Sequence, residues 1–152
     1  MKIKDIAIFN PENISSNVKH INYIDTSSSF DGVINSHEYL TKPFPSRAQR
    51  LIKENDILIS SVRPNLLHNA IVTNKHNNFV ASTGYIHIRP DAKLINPKYL
   101  FYLLNSDNFV KYYCSVADTS QSSYPSINKD LIENISIKIP PITKQFHIVD
   151  IM

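Results

Sequence analysis

The sequence predicts an α+β fold: a mixed, twisted sheet with a few helices, followed by the start of a further long helix. Three observations carry that expectation. Short alternating or β-branched apolar runs are gathered in the first 90 residues. At Asn96-Pro97 the period changes, and leucines begin to recur at helical spacing. After Pro140-Pro141 a second amphipathic pattern closes the chain, so helices collect late instead of alternating with strands.

In order, the stretch from Lys2 to Phe9 alternates weakly and is expected as a short strand or a docking arm. Residues 19–28 (KHINYIDTSS) read as a second strand that stops in hydroxyls and Asp25, which favour a loop. In residues 42–53, Pro45-Ser46 starts an expected helical turn that sets Arg47 and Arg50 on one face at i, i+3. Residues 55–65 form a buried strand that breaks at Arg63-Pro64, and 69–73, 78–83 and 85–90 form three more. In the last, Ile86 and Ile88 face one way, and Tyr85, His87 and Arg89 the other.

Asn96 is a good N-cap and Pro97 suits the first helical position. Leu100, Leu103 and Leu104 then make an apolar stripe, continued by Phe109, Val110 and Tyr113 after a break near Ser106-Asp107. A polar loop (117–126) and a short capped turn (126–133) lead to a last strand with Ile135, Ile137 and Ile139. The closing helix places Ile142, Phe146 and Val149 at i, i+4, i+7.

A length of 152 residues with 42% apolar content suits one domain with a true core. No apolar run approaches the ~18 residues of a membrane span, and no signal-peptide core follows Met1, so a cytoplasmic protein is expected. The single Cys114 excludes an internal disulfide framework and a cysteine-rich zinc site. Two glycines, Gly32 and Gly84, are too few for a Walker loop or a Rossmann fingerprint.

The net charge of +3 is unevenly spread. Residues 1–38 hold three Lys against five acids, and residues 91–152 hold six against six. Residues 39–90 hold seven cations, including all four arginines, against Glu54 and Asp56 alone. A positive field confined to one segment suits a polyanion such as DNA or RNA. The competing reading is a solvated face whose arginines sit in local ion pairs.

Catalytic signatures are incomplete. Asn96-Pro97-Lys98-Tyr99 resembles the NPPY tetrapeptide of amino-methyltransferases, but Lys98 replaces the second proline and no glycine-rich loop lies upstream. A helix start explains it better. Pro90-Asp91 has no acid-x-Lys partner to complete a nuclease metal site. The histidines at 20, 37, 68, 76, 87 and 147 are scattered, and no serine sits in a G-x-S-x-G elbow. Cys114 falls on a predicted helix among Tyr112, Tyr113 and Val116, where packing is the expected role. No catalytic residue, metal or cofactor is expected.

A binding surface remains. Hydroxyls and backbone N–H groups seat on phosphates, while Arg, Asn and Gln read base edges. Loop segments 42–50, 61–65 and 119–126 and the junction Ser82-Thr83-Gly84 have that character, although ordinary turn chemistry uses the same residues. Arg47, Arg50 and Arg63 are the first candidates for DNA contact, with Lys42 and Lys53 on phosphates. Asn65, Ser82 and Thr83 are second-rank candidates.

The order INYIDTSS, PSRAQR, NDILISSVRPN, ASTGYIHIRP, NPKYLFYLLNS and ISIKIPPITKQFHIV resembles a target recognition domain of a type I restriction–modification specificity subunit. The resemblance runs from about residue 19 to the end. Its most specific pieces are DILISSVRPN, the STGY junction and the closing IPP-x-x-x-Q-x-x-I. It implies a non-catalytic reader of double-stranded DNA, taking one half of a split, asymmetric site. It also implies spacer helices that pair as a coiled coil and dock methyltransferase (modification) subunits. Those subunits bind S-adenosylmethionine and connect to the restriction subunit. Carried onto this chain, residues 1–139 are the recognition domain and 140–152 the root of the spacer helix, which could pair with a second recognition domain or a second copy. The resemblance adds Gln121 and Tyr124 to the second-rank contacts. Recognition loops vary within the family, so it assigns no base-reading residue. The other function classes are a protein-interaction module and an unrecognised fragment of a DNA-modifying enzyme.

Overall fold

A computed structural model describes residues 1–119 and 125–151. The fold is α+β, as expected. One sheet is antiparallel throughout, in the order β1 (Ala7–Phe9), β10 (Tyr85–Pro90), β7 (Ile57–Ser60), β8 (Ala70–Ile71). A second has the order β5 (Glu38–Thr41), β2 (His20–Ile24), β9 (Val80–Ser82), β6 (Ala48–Leu51). It is mixed: β2 and β9 run parallel, and the outer pairs are antiparallel. β3 (Ser29–Phe30) and β4 (Val33–Ile34) form a small hairpin. The helices are α1 (Pro97–Leu104), α2 (Asp107–Ala117), α3 (Lys129–Glu133) and α4 (Ile142–Ile151).

The alternation along β10 sorts its side chains between two cores. Ile86 and Ile88, with Ile57 and Ile59 of β7, pack against Ile3, Leu100, Leu104 and Tyr113. Tyr85 and Leu58 turn the other way, onto Ile24, Ile52 and Ala81 around the second sheet. Both faces of the central strands are therefore covered, which is why β7 is apolar in three successive positions. A smaller cluster of Ile21, Tyr23, Ala48 and Val80 is covered by Ile14, Val18, Leu40 and Phe44.

Three local expectations need correction. The turn expected at Pro45-Ser46 is a single one, closed by Ala48 N–H to Pro45 O at 3.0 Å, and it does not bring Arg50 onto a helical face; residues 48–51 form strand β6, with a register irregularity between Ala48 and Arg50. Ala48 joins an apolar cluster across β9, and that pairing outweighs the weak tendency of a single turn to continue as helix. Arg47 thus sits in the turn and Arg50 on the strand that follows it, not on one helical face. The expected strand at 135–139 is an extended segment with one bridge, Lys2 to Ser136, flanked by hydrogen bonds from Ile3 N–H to Ile135 O and Ile137 N–H to Met1 O. The N-terminal stretch divides into a 3-10 turn, Ile3–Asp5, and β1.

α1 starts as the sequence predicts: the Asn96 carbonyl oxygen Oδ1 accepts from the N–H groups of Lys98 and Tyr99, and Pro97 takes the first turn. Gln145 of α4 is buried against that start. Its Oε1 accepts from Asn96 N–H at 2.8 Å and its Nε2 donates to Pro140 O at 2.9 Å. The glutamine of IPP-x-x-x-Q-x-x-I therefore fastens α4 to the N-terminus of α1. Among the described residues no helix is long and apolar enough to cross a membrane.

Candidate nucleic-acid interface

Strand direction decides which loops meet. β2 and β9 run parallel and finish at one end of the second sheet, and antiparallel β6 begins at that end. In the first sheet β7 ends where β10 begins. Thr26, Arg47, Ser61, Val62, Arg63, Thr83 and Gly84, from four chain segments, consequently line one groove of about 440 Å³.

The groove's wall is held by hydrogen bonds. Ser82 Oγ accepts from Gly84 N–H at 3.0 Å, and Gly84 O accepts from both Ser61 N–H (2.9 Å) and Ser61 Oγ (2.8 Å). Thr83 N–H donates to Arg47 O at 2.9 Å. A Cβ at Gly84 would come within 3.1 Å of Thr26 Cγ2 and 3.3 Å of Ser82 Oγ, so the glycine of STGY permits this close approach. Tyr85 Oη donates to Asp25 O at 2.7 Å and meets Ser29 Oγ. Asp25 in turn accepts from Ser27 N–H at 2.9 Å; burial opposes its charge, but the hydrogen bonds from Ser27 and Ser28 outweigh this and lower its pKa. Thr26 is thereby fixed at the groove's edge.

On the other side, the chain leaves β7 through Arg63, whose φ of 45° is left-handed, and enters a 3-10 turn, Pro64–Leu66. Arg63 N–H donates to Pro125 O at 2.8 Å and Ile127 N–H to Ser61 O at 2.7 Å, so residues 125–127 lie along Ser61–Arg63.

Among the described residues no carboxylate lines the groove. Arg47 is exposed, and among the described residues it makes no salt bridge. Arg89 behaves oppositely at the far end of β10. Its Nε and Nη2 donate to the two oxygens of Asp56 at 2.9 Å each, and its Nη1 to Glu12 Oε1 at 2.6 Å. His87 Nε2 also meets Asp56 Oδ2 at 2.5 Å. Asp56 is buried, which works against its charge, yet His87 and Arg89 hold its pKa below the ordinary carboxylate value. The local ion-pair reading of the basic segment thus holds for Arg89 and not for Arg47.

The sequence-derived candidates separate accordingly. Arg47, Arg63 and Thr83 come together in the groove. Asn65 is exposed on the adjoining turn. Ser82 is buried, with its hydroxyl committed to Gly84 N–H. Arg50 is half-buried on β6; desolvation lowers its pKa, and its Nε has no hydrogen-bond partner among the described residues. Lys42 donates to Ser16 O at 2.6 Å beyond β5, at the end of the sheet where β2 begins. Lys53 donates to Asn78 Oδ1, just outside the paired ends Leu51 and Val80. Both lysines therefore sit at the end remote from the groove. Gln121 and Tyr124 lie outside the described residues. Thr26 was not singled out by sequence reasoning. Its Asp-Thr-Ser setting signals a turn, but nothing in the chain order links it to Gly84.

Over residues 1–152 the sequence matches the family described as the type I restriction modification DNA specificity domain. It is 34% identical over 111 residues to the type I restriction enzyme HindI specificity subunit of Haemophilus influenzae, covering 73% of this chain and 24% of that protein. With the EcoAI specificity subunit of Escherichia coli it shares 29% identity over 95% of this chain and 25% of that one. The chain thus spans about a quarter of the length of these relatives. The HsdS subunit of Thermoanaerobacter tengcongensis superposes with a TM-score of 0.85 at 26% identity, over 99% of this chain and 39% of that one. A second solved chain, from a study of assembly and conformational transition in the type I R-M system, has a TM-score of 0.85 at 24% identity, a likeness of fold. It spans 99% of this chain and 40% of the other.

Proposed function

Because the chain belongs to the family of type I restriction modification DNA specificity domains, we propose that it is a non-catalytic, sequence-specific reader of duplex DNA. It takes one half of a bipartite site on behalf of a methyltransferase partner and, through that partner, a restriction subunit. The observation that carries this reading is the groove itself: Arg47 and Arg63 with the hydroxyl-bearing Thr26 and Thr83, and no carboxylate in the lining among the described residues. Guanidinium groups and hydroxyls are the donors that seat on phosphate oxygens, and such contacts fix the register of a protein on DNA.

In this reading residues 1–139 do the recognising and 140–152 begin a spacer helix. Phe146 and Ile151 of α4 are 55% and 73% exposed, apolar surface suited to pairing with another helix. S-adenosylmethionine belongs to the methyltransferase partner, and this chain needs no cofactor of its own. Lys42 and Lys53 would reach only phosphates well away from the groove, and Arg50 acts mainly as a half-buried positive charge behind it.

The test is selection from a pool of random duplexes at two salt concentrations, with methyltransferase subunit added in a parallel arm. Enrichment of one short asymmetric half-site, weakening as salt rises, is the expected result. Failure to enrich any sequence in either arm would overturn the reading. Cleavage with Mg²⁺ or calorimetric binding of S-adenosylmethionine by the isolated chain would overturn its non-catalytic part.

A further inference from the structure

The turn beside the groove has a construction that a solvated surface loop does not need. It is bracketed by two residues with side chains in the left-handed region, Arg63 (φ 45°) and Leu67 (φ 55°), where glycine would be the unstrained choice. Two other parts of the molecule, the segment at Pro125 and the β3–β4 hairpin, hold it there. Arg63 N–H is fixed to Pro125 O, and Asp31 N–H of the β3–β4 turn donates to Leu67 O at 3.1 Å. His68 Nδ1 meets Ser29 O at 2.7 Å, and Pro64 is buried beneath the turn. Within it, Leu66 N–H donates to Arg63 O at 2.9 Å and Leu67 N–H to Pro64 O at 3.3 Å.

What this framework presents to solvent is a short tip. Asn65 is exposed and, among the described residues, its side-chain amide has no partner; Leu66 is 42% exposed. An amide able to donate and accept in one plane matches the N6 and N7 edge of adenine, and a branched apolar group matches the methyl of thymine. Arg63 belongs both to the groove lining and to the root of the tip, so a phosphate seated in the groove would set how far the tip reaches toward the bases. A tip already fixed loses little conformational freedom on binding.

On the premise of the DNA-reading function above, we propose that Asn65 and Leu66 form a preorganised base-reading head, Asn65 on an adenine edge and Leu66 on the methyl of a neighbouring thymine. The experiment is the random-duplex selection repeated with the 152-residue chain as wild type, Asn65→Ala and Leu66→Ala, each checked for an unchanged melting temperature. Asn65→Ala should lose discrimination at one adenine position by roughly fivefold to a hundredfold while the other positions keep theirs. Leu66→Ala should lose a thymine preference at the same or the adjacent base pair by a smaller factor. Uniform weakening with the selected site intact would place the tip on the backbone and overturn the proposal. Unchanged selection by both variants would take the tip off the DNA and overturn it equally. In both of these cases the wild type still enriches its site and the DNA-reading function stands. A wild type that enriches nothing removes that function and the reading head with it.

Discussion

The two ends of β10 treat arginine in opposite ways. At one end Arg89 is clamped by Asp56 and Glu12, with His87 completing a buried network. At the other, Arg47 and Arg63 line a groove of hydroxyls and backbone with no carboxylate among the described residues. The four residue steps from Tyr85 to Arg89 separate these environments by roughly 13 Å of strand. Counting charges along residues 39–90 treats all four arginines alike. Pairing shows that Arg89 is spent on holding β10 in place, while Arg47 remains available to an external anion.

The sharpest way to break this comparison is at the paired end. Asp56→Asn should destabilise the fold by about 2–3 kcal/mol, below the fully buried range because Arg89 keeps 26% of its side chain in water. Thermal unfolding would read the loss, while DNA affinity of the folded protein should hold; parallel losses would show that the two ends are not independent. The same ion pair sets a pH dependence. The folded-state pKa of Asp56 lies below its unfolded value, so its contribution is fully present above the ordinary carboxylate range and disappears as pH falls through the folded pKa. Melting temperature should therefore drop more steeply below pH ~4 in wild type than in Asp56→Asn. Equal acid limbs would remove Asp56 as the cause.

Smaller effects belong to the groove. Gly84→Ala places a methyl 3.1 Å from Thr26 Cγ2 and should cost about 1–2 kcal/mol of stability together with DNA affinity. A variant with unchanged melting and binding would mean that the wall gives way freely. Arg47→Ala should leave stability within about 0.5 kcal/mol, yet weaken binding to every sequence and lower the log–log salt slope by about one for each phosphate that Arg47 neutralises. Lys53→Ala and Lys42→Ala, at the remote end, should change that slope by less than Arg47→Ala. A slope that falls further for either lysine would move the interface to the other end of the strands.

Much of the architecture was legible because it rests on local rules. The alternation of Ile86 and Ile88 with Tyr85 and His87 located the two faces of β10, and Asn96-Pro97 located the start of α1. Elements stabilised only from a distance escaped. Two-residue strands such as β3 and β4 carry no period, and β6 took extended form because Ala48 found its partners across β9. For the candidate site, residue type was informative and position was not. Arg47, Arg63 and Thr83 meet in the groove, but Ser82, chemically similar to Thr83 and adjacent to it, turns inward to Gly84 N–H. Lys42 and Lys53 flank Arg47 in sequence, yet strand direction carries them to the other end.

Gln145 turns a matter of packing into one of aim. One buried amide joins the first residues of α4 to the start of α1, and so sets the heading of that helix relative to the groove. If the helix continued for about 30 residues it would extend roughly 45 Å, and a change of heading of about 10° at its root would displace the far end by roughly 8 Å. That is more than two base-pair steps along a duplex at ~3.4 Å each. The accuracy with which such a lever could place a second reader is decided at its fulcrum, within the first turn after Pro141, long before any partner helix takes hold.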